Sequence, residues 1–467
     1  MKNYLVIALA ILNLTLVSCN KNDDNDSYVS TDVQIKSFIY RGFNTYYLYK
    51  DGNTILNQNF NSNYIGTPYQ YFEAIKDDDD RFSFIYHDYE VLEAYFSGIS
   101  YSNGITYDLY EHNNQYYAVI LKVAQDSPAD ALGLERGQFI TKVDGGSLSD
   151  SNSNSLSANN SYTITYADYN IDLDTFNEIG TVNITEENFQ EDAVTTYSII
   201  EEDGIKVGYL LYDSFIAGSQ VELNNIFEEF ISNGVTELIL DLRYNGGGSV
   251  ATAVALAQMI TGDYTDQVFF REQWNSEAQS YFEENDPESL IGRFKDTFTY
   301  EDTEYTINSL HLDQVYILSS KNRTASASEM MINGLSPYID VVHIGSPEGT
   351  VGKSQASASL YDSDTFGKEN VNSSHKYVLQ PLIFQSVNAS AEVVPNDGLT
   401  PEISYTEQAL NLGLLGTSTE PFLKEALNEI TGNNVLARSS FNYNFGNYIG
   451  SNKSKSPLAN EMYVKLE

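Results

Sequence analysis

The chain has 467 residues, and its 25 Lys+Arg against 65 Asp+Glu give a formal charge of −40. That length exceeds what a single core supports and calls for two or three domains. The charge excludes electrostatic attraction to nucleic acid or to an anionic lipid surface. Cys19 is the only cysteine, so no disulfide can form within the chain. The 36 tyrosines against one tryptophan suit solvated strand faces rather than a particular site.

At the N-terminus, Met1-Lys2-Asn3 leads into an apolar run from Tyr4 to Val17 and then Ser18-Cys19. This is the layout of a secretory signal over residues 1–18, too short to cross a bilayer. Leu16-Val17-Ser18-Cys19 resembles a bacterial lipobox, which implies lipidation of Cys19 as the first mature residue. The expectation is an exported lipoprotein, attached to membrane through that lipid and facing the periplasm or the surface of the outer membrane. Residues 19–32, with Asn20-Lys21-Asn22-Asp23-Asp24-Asn25-Asp26, are too polar to bury anything and read as a disordered tether.

Residues 33–100 read as an N-terminal helical region. Ile35, Phe38, Ile39, Phe43, Tyr46 and Tyr47 recur at helical spacing, and further helices follow around Tyr69–Ile75 and Val91–Phe96. The acidic run Asp77-Asp78-Asp79-Asp80 between them lacks the spaced oxygens and glycine of a calcium loop and reads as solvated loop. From 101 to 170 short alternating strands appear: Ile105–Leu109, Tyr116–Val123 and Phe139–Val143, with a Ser/Asn-rich insertion at Ser147–Ser161. From 171 to 432 strands and helices alternate, which argues for an α/β core with a largely parallel sheet. Its helices are expected at Gln220–Ile231, Val250–Ile260, Ser326–Leu335 and Pro421–Ile430. Its strands are expected at Val207–Leu211, Glu237–Arg243, Val315–Leu318, Val341–Gly345, Ser357–Leu360 and Tyr377–Leu379. Residues 433–467, rich in Asn and Ser, read as a poorly ordered tail.

The chemistry concentrates in Arg323-Thr324-Ala325-Ser326-Ala327-Ser328-Glu329 and Gly349-Thr350-Val351-Gly352-Lys353. A serine hydroxyl attacks a carbonyl slowly unless a neighbour takes its proton, and a lysine amine held neutral can do so without histidine. Ser326 precedes an apolar helical stretch, so free amides and the positive end of the helix dipole face it. No carboxylate stands in Val351–Ala358 to hold Lys353 as an ammonium, and burial lowers an amine pKa from about 10.4. Taken alone, Ser326-Ala327-Ser328-Glu329 is also a capping box, and a lone lysine is usually a surface residue. Together with the glycine turn at Gly246-Gly247-Gly248 they point to catalysis. That turn also fits a dinucleotide fingerprint through Ala251, but export and the lone motif argue against it. The chain has no His-Glu-x-x-His and no Gly-x-Ser-x-Gly. Its five histidines (His87, His112, His311, His343, His375) have no metal spacing and read as structural.

Two resemblances follow from these residues. Ser127-Pro128-Ala129-Asp130-Ala131-Leu132-Gly133-Leu134-Glu135-Arg136-Gly137-Gln138, with Val143-Asp144-Gly145, resembles a PDZ domain. It implies capture of a substrate tail on a sheet edge near Gly104 and Ile105. Asp241-Leu242-Arg243-Tyr244-Asn245-Gly246-Gly247-Gly248, Thr324–Glu329 and Gly352-Lys353, behind that segment, resemble the carboxyl-terminal processing (tail-specific) proteases over roughly residues 33–430. The resemblance implies a crotonase-like α/β core with an inserted PDZ-like β domain and an N-terminal helical segment. It also implies a serine endopeptidase that acts on protein or peptide substrates through an acyl-enzyme. By it Ser326 is the nucleophile, Lys353 the general base, and the Gly247 and Ala327 amides the oxyanion hole, with no metal or organic cofactor. The chain departs from the family pattern in a longer interval between Ser326 and Lys353, and in Ser357 where a glutamine stands four residues after the lysine. Gln355 is the candidate to replace that glutamine. The alternative is a catalytically silent peptide-binding lipoprotein on the same fold. The sequence leaves the oligomeric state open.

Overall fold

The computed structural model describes residues 30–156, 161–433, 445–452 and 459–466. The signal segment, Cys19 and nearly all of the tether lie outside the described residues. Among the described residues no helix is long and apolar enough to cross a membrane.

The apolar stripe read from the sequence forms the helix Thr31–Tyr46, which buries Ile35, Phe38, Ile39, Phe43 and Tyr46. It shares one hydrophobic core with the main body, and Gly42 lies against Leu379 and Leu360. Pro68–Ile75 follows with a full capping box from Thr67 and Gln70, and then Tyr89–Phe96 capped by Asp88. Between them Asp78 and Asp79 are exposed, as the expected solvated loop requires, but the last residue of the acidic run departs from it. Asp80 is buried, accepts from Tyr47 Oη at 2.7 Å and from the amides of Phe82 and Ser83, and so fixes the turn that carries Phe82.

The α/β core is built on a six-stranded sheet in the order Val194–Glu202, Ile205–Tyr212, Glu237–Asp241, Gln314–Leu318, Asp340–Gly345, Ile403–Ser404. The first pair is antiparallel and the rest are parallel. Leu238, Ile239 and Leu240 are wholly buried, as a strand covered on both faces requires. Alternation along Ile205–Tyr212 divides the two cores. Leu210 and Tyr212 face the helices Gln220–Ser232 and Val250–Thr261, whereas Val207, Tyr209 and Leu211 face Phe422, Leu423 and Ala426 of the helix Pro421–Thr431.

A separate β sheet runs Asn447–Ser451, Ile105–His112, Gln115–Val123, Phe139–Val143, Ser161–Asn170, Thr175–Thr185. It therefore extends to residue 185 rather than 170. Ser161–Thr185 is one long hairpin, whose second strand is mostly solvent-exposed and so carries little apolar signal. A second six-stranded sheet, in the order Gly248–Ser249, Met462–Val464, Gln355–Ala358, Leu382–Asn388, Val268–Trp274, Ile291–Arg293, flanks the core. Two of these strands come from the tail expected to lack order: Asn447–Ser451 joins the β domain, and Met462–Val464 lies inside the flanking sheet. A polar segment held by junctions of two to four residue pairs owes its order to its partners, which a local reading does not contain.

Candidate active site

Ser326 is the N-cap of the helix Ala327–Leu335, with φ 66° and ψ −117°. A non-glycine residue in this region is strained by about 1–3 kcal/mol, which the surrounding hydrogen bonds must offset. Its Oγ is buried and has no hydrogen-bond partner among the described residues. The capping box is thus used in one direction, with the Ser326 amide donating to Glu329 Oε2 at 2.8 Å. The Ala327 amide, next along, donates to no group among the described residues.

Lys353 is completely buried. Its main-chain amide donates to the same Glu329 Oε2 at 2.8 Å, while the Gly352 amide donates to Oε1 at 2.7 Å and Thr350 Oγ1 donates to Oε1 as well. One buried carboxylate therefore clasps the serine turn and the lysine loop together. Burial of the Glu329 carboxyl pushes its pKa up, and these four donors pull against that. The sequence presented Glu329 only as a capping partner; its reach to 350–353 depends on chain that is distant in sequence.

Burial drives the Lys353 ammonium below the ordinary lysine value, while the carboxylates of Glu461, Asp80 and Glu329 oppose that shift. Lys353 Nζ donates to Glu461 Oε1 at 3.2 Å and lies 5.1 Å from the centre of the Phe82 ring. Glu461 Oε2 accepts from Ser357 Oγ at 2.7 Å, and Gln380 Nε2 donates to Ser357 Oγ at 3.0 Å. A glutamine does reach the position left by Ser357, but it is Gln380, from a strand distant in sequence. Gln355 is buried in its strand opposite Gln385 and makes no hydrogen bond to Lys353. Glu461, in the tail set aside as lacking order, had no sequence signal.

The glycine turn lies against the serine: a Cβ on Gly247 would meet Ser326 Cβ at 2.7 Å and the Ala327 nitrogen at 3.1 Å. Gly247 has φ +112° and Gly248 +135°, so both need the freedom of glycine. The Gly247 amide, expected to face a developing oxyanion, instead donates to Asn245 Oδ1 at 2.8 Å. Asn245 ties the turn to both neighbours: Nδ2 donates to Tyr212 O at 2.8 Å, and its carbonyl accepts from Ser328 Oγ at 3.0 Å. Below the turn, Arg243 is buried in a lattice with Asp241, Glu407 and Glu420, and Arg136 of the β domain joins it through Glu407.

Gly104 and Ile105 sit at the start of the β-domain strand Ile105–His112. A Cβ on Gly104 would meet Ser127 at 2.2 Å, and the Ile105 carbonyl accepts from Asn452 Nδ2 at 2.7 Å. The structure therefore brings Ser326, Ala327, Gly247 and Lys353 together and leaves Gly104 and Ile105 on a separate sheet, where the strand edge expected to take a substrate tail is covered by Asn447–Ser451 and Asn452. Of the histidines, His343 is buried; burial lowers its pKa to about 4, and it bonds Ser319 Oγ. Among the described residues no group of three or more His, Cys, Asp or Glu side chains could hold a metal ion.

The family model described as "Peptidase family S41" matches residues 206–404, and that of the "Peptidase S41 N-terminal domain" matches residues 34–84. No curated protein matches the chain. Among solved structures, a candidate S41 protease from Bacteroides fragilis is 24% identical with a TM-score of 0.68, covering 90% of this chain and 100% of its own. The photosystem II D1 C-terminal processing protease is 17% identical with a TM-score of 0.48, covering 84% and 98%. Mature CPAF complexed with lactacystin is 12% identical with a TM-score of 0.43, covering 86% and 98%. The first of these likenesses bears on the fold. With two S41 models matched in chain order, around the glycine turn, the serine helix and the lysine loop, the chain belongs to peptidase family S41.

Proposed function

We propose that this chain is a serine endopeptidase of exported protein substrates, with Ser326 as nucleophile and Lys353 as general base. Neutral Lys353 takes the Ser326 proton as Oγ attacks the substrate carbonyl. The tetrahedral oxyanion is met by the Ala327 amide and the positive end of the helix Ala327–Leu335. The Lys353 ammonium so formed then gives that proton to the leaving nitrogen, and water resolves the acyl-enzyme by the same steps in reverse. The β domain, read as PDZ-like, recruits exposed or C-terminal segments, and the lipid on Cys19 keeps the enzyme at the membrane.

The observation that carries this reading is the shared carboxylate: Glu329 Oε2 accepts from the Ser326 and Lys353 amides, beside a buried serine hydroxyl with no partner. A structural lysine would gain little from complete burial, which costs an ion several kcal/mol. A general base needs that burial to be neutral near pH 7.

The test is cleavage of an unstructured, C-terminally tagged protein by the wild type, Ser326→Ala and Lys353→Ala. Loss of at least 1,000-fold in both variants is expected from a nucleophile–base pair. Equal cleavage by all three overturns the assignment. The carboxylate of Glu461 on Lys353 and the Gly247 amide held by Asn245 are the observations favouring a silent peptide-binding protein. Binding of the tagged protein without cleavage by any variant would support that second reading.

A further inference from the structure

The tail enters the molecule at two places. Asn447–Ser451 pairs antiparallel with the outer edge of Ile105–His112, from Asn447 opposite Glu111 to Ser451 opposite Asp108. Asn452 continues along that edge: its Oδ1 accepts from the Tyr107 amide at 3.0 Å and its Nδ2 donates to the Ile105 carbonyl. Further on, Ala459–Glu461 crosses the glycine turn. A Cβ on Gly246 would meet the Ala459 carbonyl oxygen at 1.9 Å, and one on Gly247 the Glu461 carbonyl oxygen at 2.3 Å. Met462–Val464 then runs parallel between two strands, with Met462 opposite Gly248, Tyr463 opposite Ser249 and Ser357, and Val464 opposite Ala358.

Three features distinguish this occupant from an ordinary sheet strand. It is held by two residue pairs on each side, against three to five at the other junctions of the same sheet. It leaves a buried acceptor, Asn460 Oδ1, without a partner among the described residues, which costs free energy. It also places a carboxylate on the amine that must be neutral to act as a base. Lifting Met462–Val464 away would open a slot one strand wide, roughly 10 Å from edge to edge, beside Ser326 and lined by unpaired main-chain groups. Such a slot takes an extended polypeptide of any sequence through its backbone.

We propose that the slot between Gly248–Ser249 and Gln355–Ala358 is the binding site for an extended substrate polypeptide, and that residues 459–464 occupy it as a built-in competitor that keeps the enzyme latent until substrate displaces them. This rests on the peptidase reading given above. Glu461 is the electrostatic half of the latch. Lys353 faces three carboxylates, Asp80 from the N-terminal region, Glu329 from the serine helix and Glu461 from the tail, and only the last can leave. With Glu461 gone the amine holds its proton less tightly, and the ascending limb of activity moves to lower pH.

Gly246→Ala and Glu461→Gln, each in the full chain, test this separately. The three atoms nearest a Gly246 Cβ all belong to the tail main chain, and the residue is not at positive φ, so the substitution pushes first on the tail. With β-casein as an unfolded substrate, both variants are expected to cleave at least tenfold faster than wild type at pH 7, and Glu461→Gln to shift the ascending limb to lower pH. In full-length Ser326→Ala, the Tyr463 and Val464 amides should exchange with solvent at least tenfold faster once β-casein saturates binding. Rates no higher than wild type in both variants, a slower Glu461→Gln, or unchanged exchange with β-casein bound would each overturn the latch while Ser326→Ala stays inactive. Cleavage by Ser326→Ala at the wild-type rate, or by no chain at all, removes the peptidase reading itself.

Discussion

Three buried carboxylates, those of Glu461, Asp80 and Glu329, surround one lysine, and their roles differ. Glu329 acts through the main chain: four donors converge on it, and two of them are the amides of the candidate nucleophile and base. Glu329→Gln leaves one oxygen to serve two pairs of donors and turns an acceptor into a donor. It is expected to lower kcat by about 100-fold with little change in KM, and Glu329→Ala to lower it further and destabilise the fold by about 2–4 kcal/mol. Urea unfolding alongside steady-state kinetics separates the two effects, and an unchanged kcat in Glu329→Gln would exclude the positioning role. The Lys353 side chain sets the pH dependence. Because burial depresses its pKa and only the neutral amine is a base, kcat/KM should rise with pH through a midpoint below the ordinary 10.5. A pH–rate profile lacking that ascending limb would exclude Lys353 as the base. The sequence made Ser326, Ala327, Gly247 and Lys353 legible because local motifs surround them. Glu461 and Gln380 were illegible because nothing local distinguishes a glutamate in a polar tail or a glutamine beside an apolar strand.

At the level of elements, the β domain is joined to the core by buried charge rather than by a shared apolar face alone. Lys122 pairs with Asp213 at the end of a core strand, Asp108 with Arg323 three residues before Ser326, and Arg136 with Glu407. Removing Arg136 leaves Glu407 with Arg243 as its remaining partner and strips a donor from the Leu121 and Leu412 carbonyls, so Arg136→Met is expected to destabilise by about 1.5–3 kcal/mol. Burial alone would raise the Glu407 pKa, but Arg136 and Arg243 pull it down to about 2 from 4.5. A depressed acid stabilises the fold above its unfolded pKa, and that contribution is lost as pH falls from about 4.5 toward 2. Thermal unfolding followed between pH 6 and 2 should show this loss in wild type and a flatter dependence in Glu407→Gln. Equal slopes would exclude Glu407 as the acid-sensitive link. The strands and helices of the core were readable because apolar runs and 3.6-residue periodicity survive burial on two faces. The hairpin to Thr185 was not readable, because an exposed strand such as Thr175–Thr185 has few apolar positions to alternate.

For the whole molecule, a formal charge of −40 means that contact with an anionic membrane must come from something other than electrostatics. The proposed lipid on Cys19 supplies it, so wild type expressed in a bacterial host should partition with membranes and incorporate radiolabelled palmitate, and Cys19→Ala should do neither. Equal partitioning would exclude the anchor. By itself the sequence determined the export-like N-terminus, the α/β alternation and the identities at the serine turn and the lysine loop, because each is written in contiguous residues whose spacing or chemistry is local. Only the tertiary structure decided that one glutamate clasps nucleophile and base, that the Gly247 amide is spent on Asn245, and that the tail lies across the site. Each of these is a contact between residues far apart in the chain, and its energy exists only once the sheets have brought them together.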